Sequence, residues 1–179
     1  EDDAYAVRLF ADALPAVFAA GSYSKSLSLY GERVGALSVI AGNADEAARV
    51  LSQLKRIIRT NYSNPPTHGG EVATMVLSNP QLRALWEREL GEMRDRIKLM
   101  RRLLVEKIRE QRADFDFGHM LDQRGMFSYS GLTKTQVQAL RERHAIYAVD
   151  SGRICVAALS TGNVDYVARA IGEVLVTER

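Results

Sequence analysis

Between Leu82 and Arg112 apolar residues recur three or four positions apart: Leu85, Trp86, Leu90, Met93, Ile97, Met100, Leu104 and Ile108, with charged residues filling the remaining positions. This spacing predicts one amphipathic helix, about thirty residues long and roughly 45 Å from end to end, enough to join two lobes. Its charge-rich face reads as solvated. Asn79-Pro80 just ahead of it supplies a cap followed by a proline at the first helical position.

Before that helix, Ala4 to Leu14 has helical spacing, Ala16 to Ala20 reads as a short strand after Pro15, and Ala36 to Ile40 reads as a buried strand. Asn43 or Asp45 caps a helix whose apolar face includes Ala47, Val50, Leu51, Leu54, Ile57 and Ile58. Residues 61–70 are rich in turn formers, and the pair Pro65-Pro66 stops any helix there; helical periodicity resumes at Glu71. After the long helix, Met126 to Ser130 is strand-like and Thr133 caps a helix running to about His144. Ile146 to Val149 and Ile154 to Ala158 read as short strands, and Asn163 caps a last helix with Val164, Val167, Ile171 and Val174 on one face. The first part is α/β material and the second a small α+β lobe. The expected boundary lies within the long helix, dividing the chain into residues 1–90 and 91–179.

Composition narrows the class. The chain has 179 residues, 46% of them hydrophobic and 26% charged, which is ordinary for a folded protein with a sizeable core and argues against disorder. A net charge of +2, with both signs interleaved, gives no nucleic-acid or membrane face. No apolar run approaches the roughly 18 residues of a membrane span. There is no internal repeat, P-loop or G-x-G-x-x-G, so a phosphate is not held by those devices. The single cysteine, Cys155, rules out a disulfide framework within the chain, reads as a small buried hydrophobe and fits the reducing cytoplasm. His68, His119 and His144 are far apart and lack neighbours at ligand spacing, so no metal site is expected. The start Glu1-Asp2-Asp3 is the opposite of a signal peptide's basic start and looks like a cut.

The candidate chemistry begins at Lys25. It sits in Ser22-Tyr23-Ser24-Lys25-Ser26, with Arg33 eight residues further on and Gly35 opening the next strand. A lysine amine condenses with a carbonyl to form a Schiff base, while serine hydroxyls and a planar guanidinium grip a phosphate. Ser22, Ser24, Lys25 and Arg33 are thus equipment for holding a phosphorylated aldehyde. The plain alternative is a solvated loop lysine. Three further candidates have plain alternatives too: Arg153 as a cation at a strand edge, Arg59 as compensation for a helix dipole, and Phe127 as core.

The run from Ser22 to Gly35 resembles the cofactor-lysine segment of class I aspartate and aromatic amino acid aminotransferases, the pyridoxal-phosphate transferases of fold type I. Three more segments resemble the same family, in its order and at its spacing: Arg59-Thr60-Asn61-Tyr62-Ser63-Asn64-Pro65-Pro66, Gly125-Met126-Phe127-Ser128-Tyr129-Ser130-Gly131-Leu132, and Ser151-Gly152-Arg153-Ile154-Cys155-Val156-Ala157. The likeness runs from residue 1 to about residue 177. It departs at Gly21, where relatives usually carry serine or asparagine. The resemblance implies that Lys25 bears pyridoxal 5'-phosphate and that Ser22, Ser24 and Arg33 hold the phosphate. Arg153 would clamp the substrate's α-carboxylate, Arg59 would reach a side-chain carboxylate in a neighbouring subunit's pocket, and Phe127 would line the substrate pocket.

From the same resemblance the expected function is transamination between an aromatic or acidic amino acid and a 2-oxo acid, 2-oxoglutarate being the acceptor, in a cytoplasmic homodimer with shared sites. A whole subunit of the family is much longer, with the cofactor lysine past its middle. The chain therefore looks like the C-terminal part of the large cofactor-binding domain followed by the small α+β domain. An inactive scaffold or dimerisation fragment, or a pyridoxal-phosphate lyase, are the alternatives, and the pair Arg59 and Arg153 favours a transaminase, because a dicarboxylate acceptor uses both.

Overall fold

The computed structural model describes residues 4–112 and 114–178. The acidic start, Glu1 to Asp3, that reads as a cut lies outside the described residues. The elements, in chain order, are α1 Tyr5–Ala13, β1 Val17–Ser22, β2 Gly35–Ile40, α2 Ala44–Asn61, α3 His68–Ser78, α4 Pro80–Gln111, β3 Phe127–Tyr129, α5 Lys134–His144, β4 Arg153–Cys155 and α6 Val164–Thr177. Single 3₁₀ turns stand at Gly118–Met120 and Val156–Ala158. The chain forms two compact units, Glu1–Glu87 and Arg88–Arg179.

In the first unit β1 and β2 form an antiparallel ribbon, from Val17 opposite Ile40 to Ser22 opposite Gly35. The Asn43 side chain starts α2 by accepting from the Glu46 N–H at 2.9 Å. Asn79 does the same for α4, accepting from the N–H groups of Gln81 and Leu82 at 2.9 and 3.1 Å, with Pro80 taking the position that needs no donor. The start of α3 lies against the segment before β2. A Cβ added to Gly69 would fall 2.2 Å from Val34 Cγ2 and 2.8 Å from the Glu32 Cβ, so only a bare backbone fits. Beside it His68 Nδ1 lies 3.0 Å from a Glu32 carboxylate oxygen.

Contrary to expectation, β2 is not buried. Its residues from Gly35 to Ser38 are exposed, with Leu37 at 53%, and Phe18 on β1 is also exposed. Among the described residues these two strands pair only with each other, and much of the ribbon stays open to solvent. A run of apolar residues predicts a strand, but burial needs a neighbour.

The second unit contains the hydrophobic core. Met100, Leu104, Val105 and Ile108 of α4 pack with Val137 and Leu140 of α5 and with Val164, Ala168, Ile171, Val174 and Leu175 of α6, around Met120 and Val156. Thr133 and Gln136 close α5 with a reciprocal capping box. Asn163 stands at the start of α6 but does not cap it. Its side chain instead accepts from the Ser160 N–H at 2.7 Å and donates to the Ala158 carbonyl at 3.1 Å, shaping the turn before the helix.

Two other expectations change. Residues 146–149 form no strand: Val149 donates to Arg153 at 3.2 Å and accepts from Gly152 at 2.8 Å, a tight reversal with no room for a ladder. Of the run Ile154 to Ala158, β4 takes only the first two residues and the rest winds into a 3₁₀ turn. Gly152, at φ 82°, fits where it does because a Cβ would meet the Leu132 carbonyl oxygen at 2.6 Å. What approaches it is the Leu132 backbone.

Gly152→Ala should therefore destabilise the protein by about 2–3 kcal/mol, combining left-handed strain with a backbone clash, and lower the midpoint of chemical denaturation. The hydrogen bond that His68 donates to Glu32, and then the Glu32 charge, raises the His68 pKa above the ordinary histidine value. The pair's contribution to stability is complete below about pH 6.5 and fades as the pH rises through the raised value. An NMR titration should give His68 a midpoint above the ordinary value, and Glu32→Gln should lower it; equal midpoints in the two proteins would refute the pairing.

Candidate active site

The lysine loop leaves β1 at Ser22. Beyond the last strand pair, the Tyr23 N–H donates to the Val34 carbonyl at 3.0 Å and closes the loop at its base. Inside it, Leu27 donates to Tyr23 at 3.1 Å and Ser28 to Lys25 at 3.3 Å, winding the segment after the lysine into a turn. Ser28 and Arg33 both hold φ 55°. That conformation costs a non-glycine residue about 1 kcal/mol or more.

The second of these positions aims Arg33 back across the loop. Its Nη1 donates to the Tyr30 carbonyl at 3.0 Å and to Ser24 Oγ at 3.4 Å. The Ser24 N–H in turn donates to Ser22 Oγ at 3.3 Å. Ser24 is 1% exposed, so its hydroxyl serves to orient the guanidinium; Ser22, Lys25 and Arg33 are exposed. The Lys25 ammonium lies 5.7 Å from the centre of the Tyr30 ring, within range of a cation–π contact. The structure thus brings Ser22, Ser24, Lys25 and Arg33 into one loop. Ser22 spends an acceptor position on Ser24 and keeps its O–H, and Arg33 keeps most of its N–H fork, so the donors match an anion with several oxygens beside a free amine. The chemistry of this set fits a phosphorylated aldehyde.

A second group of candidates lies in the other unit. β3 and β4 pair antiparallel, Phe127 opposite Cys155, Ser128 opposite Ile154 and Tyr129 opposite Arg153. Alternation along the strands turns Ser128 and Ile154 inward and leaves Phe127, Tyr129, Arg153 and Cys155 on the outer face. Cys155 is therefore exposed, against the expectation of a buried hydrophobe: its apolar neighbours in sequence point the other way. The Arg153 guanidinium carbon lies 5.0 Å from the centre of the Phe127 ring, a cation–π contact that joins two predicted substrate residues. The free edge of β3 is closed by Gln123, whose amide accepts from the Tyr129 N–H at 2.7 Å and donates to its carbonyl at 2.9 Å.

Arg59 stands at the end of α2 and donates to the hydroxyl of Ser63. With Lys55 and Arg56 it lines an open depression of about 630 Å³ on that helix, whose lining includes no residue of the lysine loop. Among the described residues no group of three or more His, Cys, Asp or Glu side chains is placed to hold a metal ion. None of the helices formed by the described residues is long and apolar enough to cross a membrane.

Two polar roles escaped sequence reasoning. Trp86 reads as one more apolar position of the long helix, yet its indole N–H donates to the Ser26 carbonyl at 2.6 Å and ties the lysine loop to α4. Arg101 lies in the same helix and reads as part of its solvated face, yet it is 4% exposed. The signal was available: 101 is four residues after Ile97 and three before Leu104, squarely on the apolar stripe.

Residues 1–171 match the family model for aminotransferase class I and II. Over 175 residues the chain is 59% identical to an aspartate aminotransferase of Pseudomonas aeruginosa, covering 98% of this chain and 44% of that protein. It is 49% identical to an aromatic-amino-acid aminotransferase of Escherichia coli over 176 residues, with the same coverage of each. Among solved structures, the aromatic-amino-acid aminotransferase of Burkholderia pseudomallei covalently bound to pyridoxal phosphate superposes with a TM-score of 0.92 at 64% identity, covering 97% of this chain and 44% of that one. The chain thus spans less than half the length of the relatives it matches. Its fold is that of the corresponding part of these pyridoxal-phosphate fold type I enzymes, and it belongs to the class I and II aminotransferase family.

Proposed function

We propose that this chain carries the cofactor lysine and the substrate arginines of a pyridoxal-phosphate-dependent aminotransferase, which moves an amino group between an aromatic or acidic amino acid and a 2-oxo acid, with 2-oxoglutarate as acceptor. The observation that carries the reading is the lysine loop: an exposed amine beside a guanidinium held in place by a buried serine. Relatives named for both aspartate and aromatic amino acids support the two substrate classes, and one relative solved with pyridoxal phosphate covalently bound supports the cofactor.

In this reading Arg33 and the Ser22 hydroxyl bind the phosphate, and Ser24 fixes the guanidinium that does so. Lys25 Nζ is the atom that would hold the cofactor's aldehyde carbon. Pyridoxal phosphate, when bound, supplies an electron sink that acidifies the Cα–H bond of the amino acid. The Lys25 amine would be the base that moves the proton at that carbon. Arg153 takes the substrate's α-carboxylate in two parallel hydrogen bonds, and Phe127 braces it from below with its ring. Arg59 takes the side-chain carboxylate of a dicarboxylate substrate from across a homodimer interface. Residues 1–90 belong to the large domain and 91–179 to the small one. The enzyme works in the cytoplasm, where an exposed thiol such as Cys155 stays reduced.

Borohydride reduction of the holoenzyme followed by peptide mapping should place the cofactor on Lys25. Lys25→Ala should lose that adduct and slow turnover by about 10²–10⁴-fold, the size of a general acid–base contribution. An adduct on another lysine would refute the assignment. The arginines separate by substrate. Arg153→Gln should lower kcat/KM for every amino acid, whereas Arg59→Gln should lower it about 10–100-fold for aspartate and only a few-fold for tyrosine, since a charge-assisted bond is worth about 1.5–3 kcal/mol. Equal losses on aspartate and tyrosine in Arg59→Gln would remove Arg59 from the side-chain site.

A further inference from the structure

The inner face of the β3–β4 ribbon rests on a charge. Arg101 Nε donates to Ser128 Oγ at 3.2 Å, and its Nη2 donates to the Gly125 carbonyl. Both residues of the Arg101–Ser128 pair are buried, at 4% and 2% exposure. Burial, and then the neighbouring charge of Arg124, lowers the Arg101 pKa. The side chain lies on the apolar stripe of α4, between core residues Met100 and Leu104, where methionine or leucine would pack without any desolvation cost. A buried cation held by a hydroxyl and a carbonyl is a poor way to gain stability. It is a good way to fix a register, because the planar fork sets direction as well as distance.

What it fixes can be read off the ribbon. Gly125 opens the segment into β3, and Ser128 is the central residue of that strand, so Arg101 holds β3 at two points. On the other face Phe127, adjacent to Ser128, underlies the Arg153 guanidinium at 5.0 Å, and Tyr129 on its other side pairs with Arg153 through the ladder. Any slip or tilt of β3 therefore moves both the ring and the strand that set the Arg153 fork. A bidentate carboxylate contact tolerates little such movement; a misplacement near 1 Å can cost about 10²-fold.

We propose that Arg101 is a positioning residue for substrate binding: through Ser128 and Gly125 it locks the β3–β4 ribbon so that Phe127 and Arg153 present a fixed carboxylate site on the opposite face. The proposal rests on the reading of Arg153 as the carboxylate arginine. Arg101 touches no substrate in this scheme. Its effect passes entirely through Arg153.

The test is a double-mutant cycle in the holoenzyme, read by the dissociation constant of succinate, an unreactive dicarboxylate, measured by calorimetry, alongside KM and kcat for aspartate and the affinity for pyridoxal phosphate. Arg101→Met keeps the volume and lacks the fork; Ser128→Ala is the milder second variant, in case the first does not fold. Both should weaken succinate binding and raise KM, by about 10-fold or more for Arg101→Met and a few-fold for Ser128→Ala, with kcat changed less and cofactor affinity unchanged. In an Arg153→Gln background neither should weaken succinate further. Unchanged succinate affinity in the single variants, or an equal loss with and without Arg153, would overturn the positioning role while leaving the Arg153 reading intact. If Arg153→Gln alone leaves succinate binding unaffected, the underlying reading fails, and the positioning proposal falls with it.

Discussion

Every property proposed for Lys25 depends on the closure of one loop. The ribbon of β1 and β2 brings Ser22 opposite Gly35, and the Tyr23-to-Val34 hydrogen bond extends the pairing by one more step. Between those ends the chain adopts two left-handed residues, Ser28 and Arg33, that it would avoid in isolation. The strain is offset by ties from outside: the indole of Trp86 on the Ser26 carbonyl, and the start of α3 pressed against Glu32 and Val34. The result is a fixed guanidinium beside a free amine, rather than a floppy basic loop.

The two units differ in how they hold themselves together. In residues 88–179 the core is a conventional one, built from α4, α5 and α6, with fully buried Leu104, Ile108, Val156 and Val174. In the first unit, the buried residues among those described are Ser24, Gly69 and Ala73, and apolar side chains such as Phe18, Leu37, Leu51 and Ile57 face outward. Burying a large apolar side chain is worth about 1.5–3 kcal/mol. An amphipathic α2 and a two-faced apolar ribbon are therefore elements designed for neighbours, in keeping with a chain that spans 44% of the relatives it matches.

How much of this was legible depended on whether a feature is local. Periodicity located α1, α2, α3, α4 and α6, because three- and four-residue spacing is a property of the segment itself. Asn79-Pro80 and Thr133 marked helix starts for the same reason. Burial was not local: β2 carried the pattern of a core strand and stands exposed, and Cys155 looked apolar by its neighbours although a two-residue period turns it the opposite way from Ile154. Arg101 hid in a run of charges because a helix-spanning stripe and a charge cluster overlap at that position. The lysine loop stood out by residue type, yet the burial of Ser24 and the indole tie from Trp86 are facts of three-dimensional arrangement.

The bare backbone of Gly69 gives the lysine loop a further dimension. Residues 22–34 contain the amine, the anion donors and the hydrogen bonds that close the loop, but two further contacts that hold its shape come from positions 69 and 86, well downstream in the chain. The motif is therefore not a portable cassette. Grafted onto another hairpin it would bring its side chains and leave behind the surface against which they are cast, and a designer would have to transplant the first turn of α3 and the indole of α4 along with it.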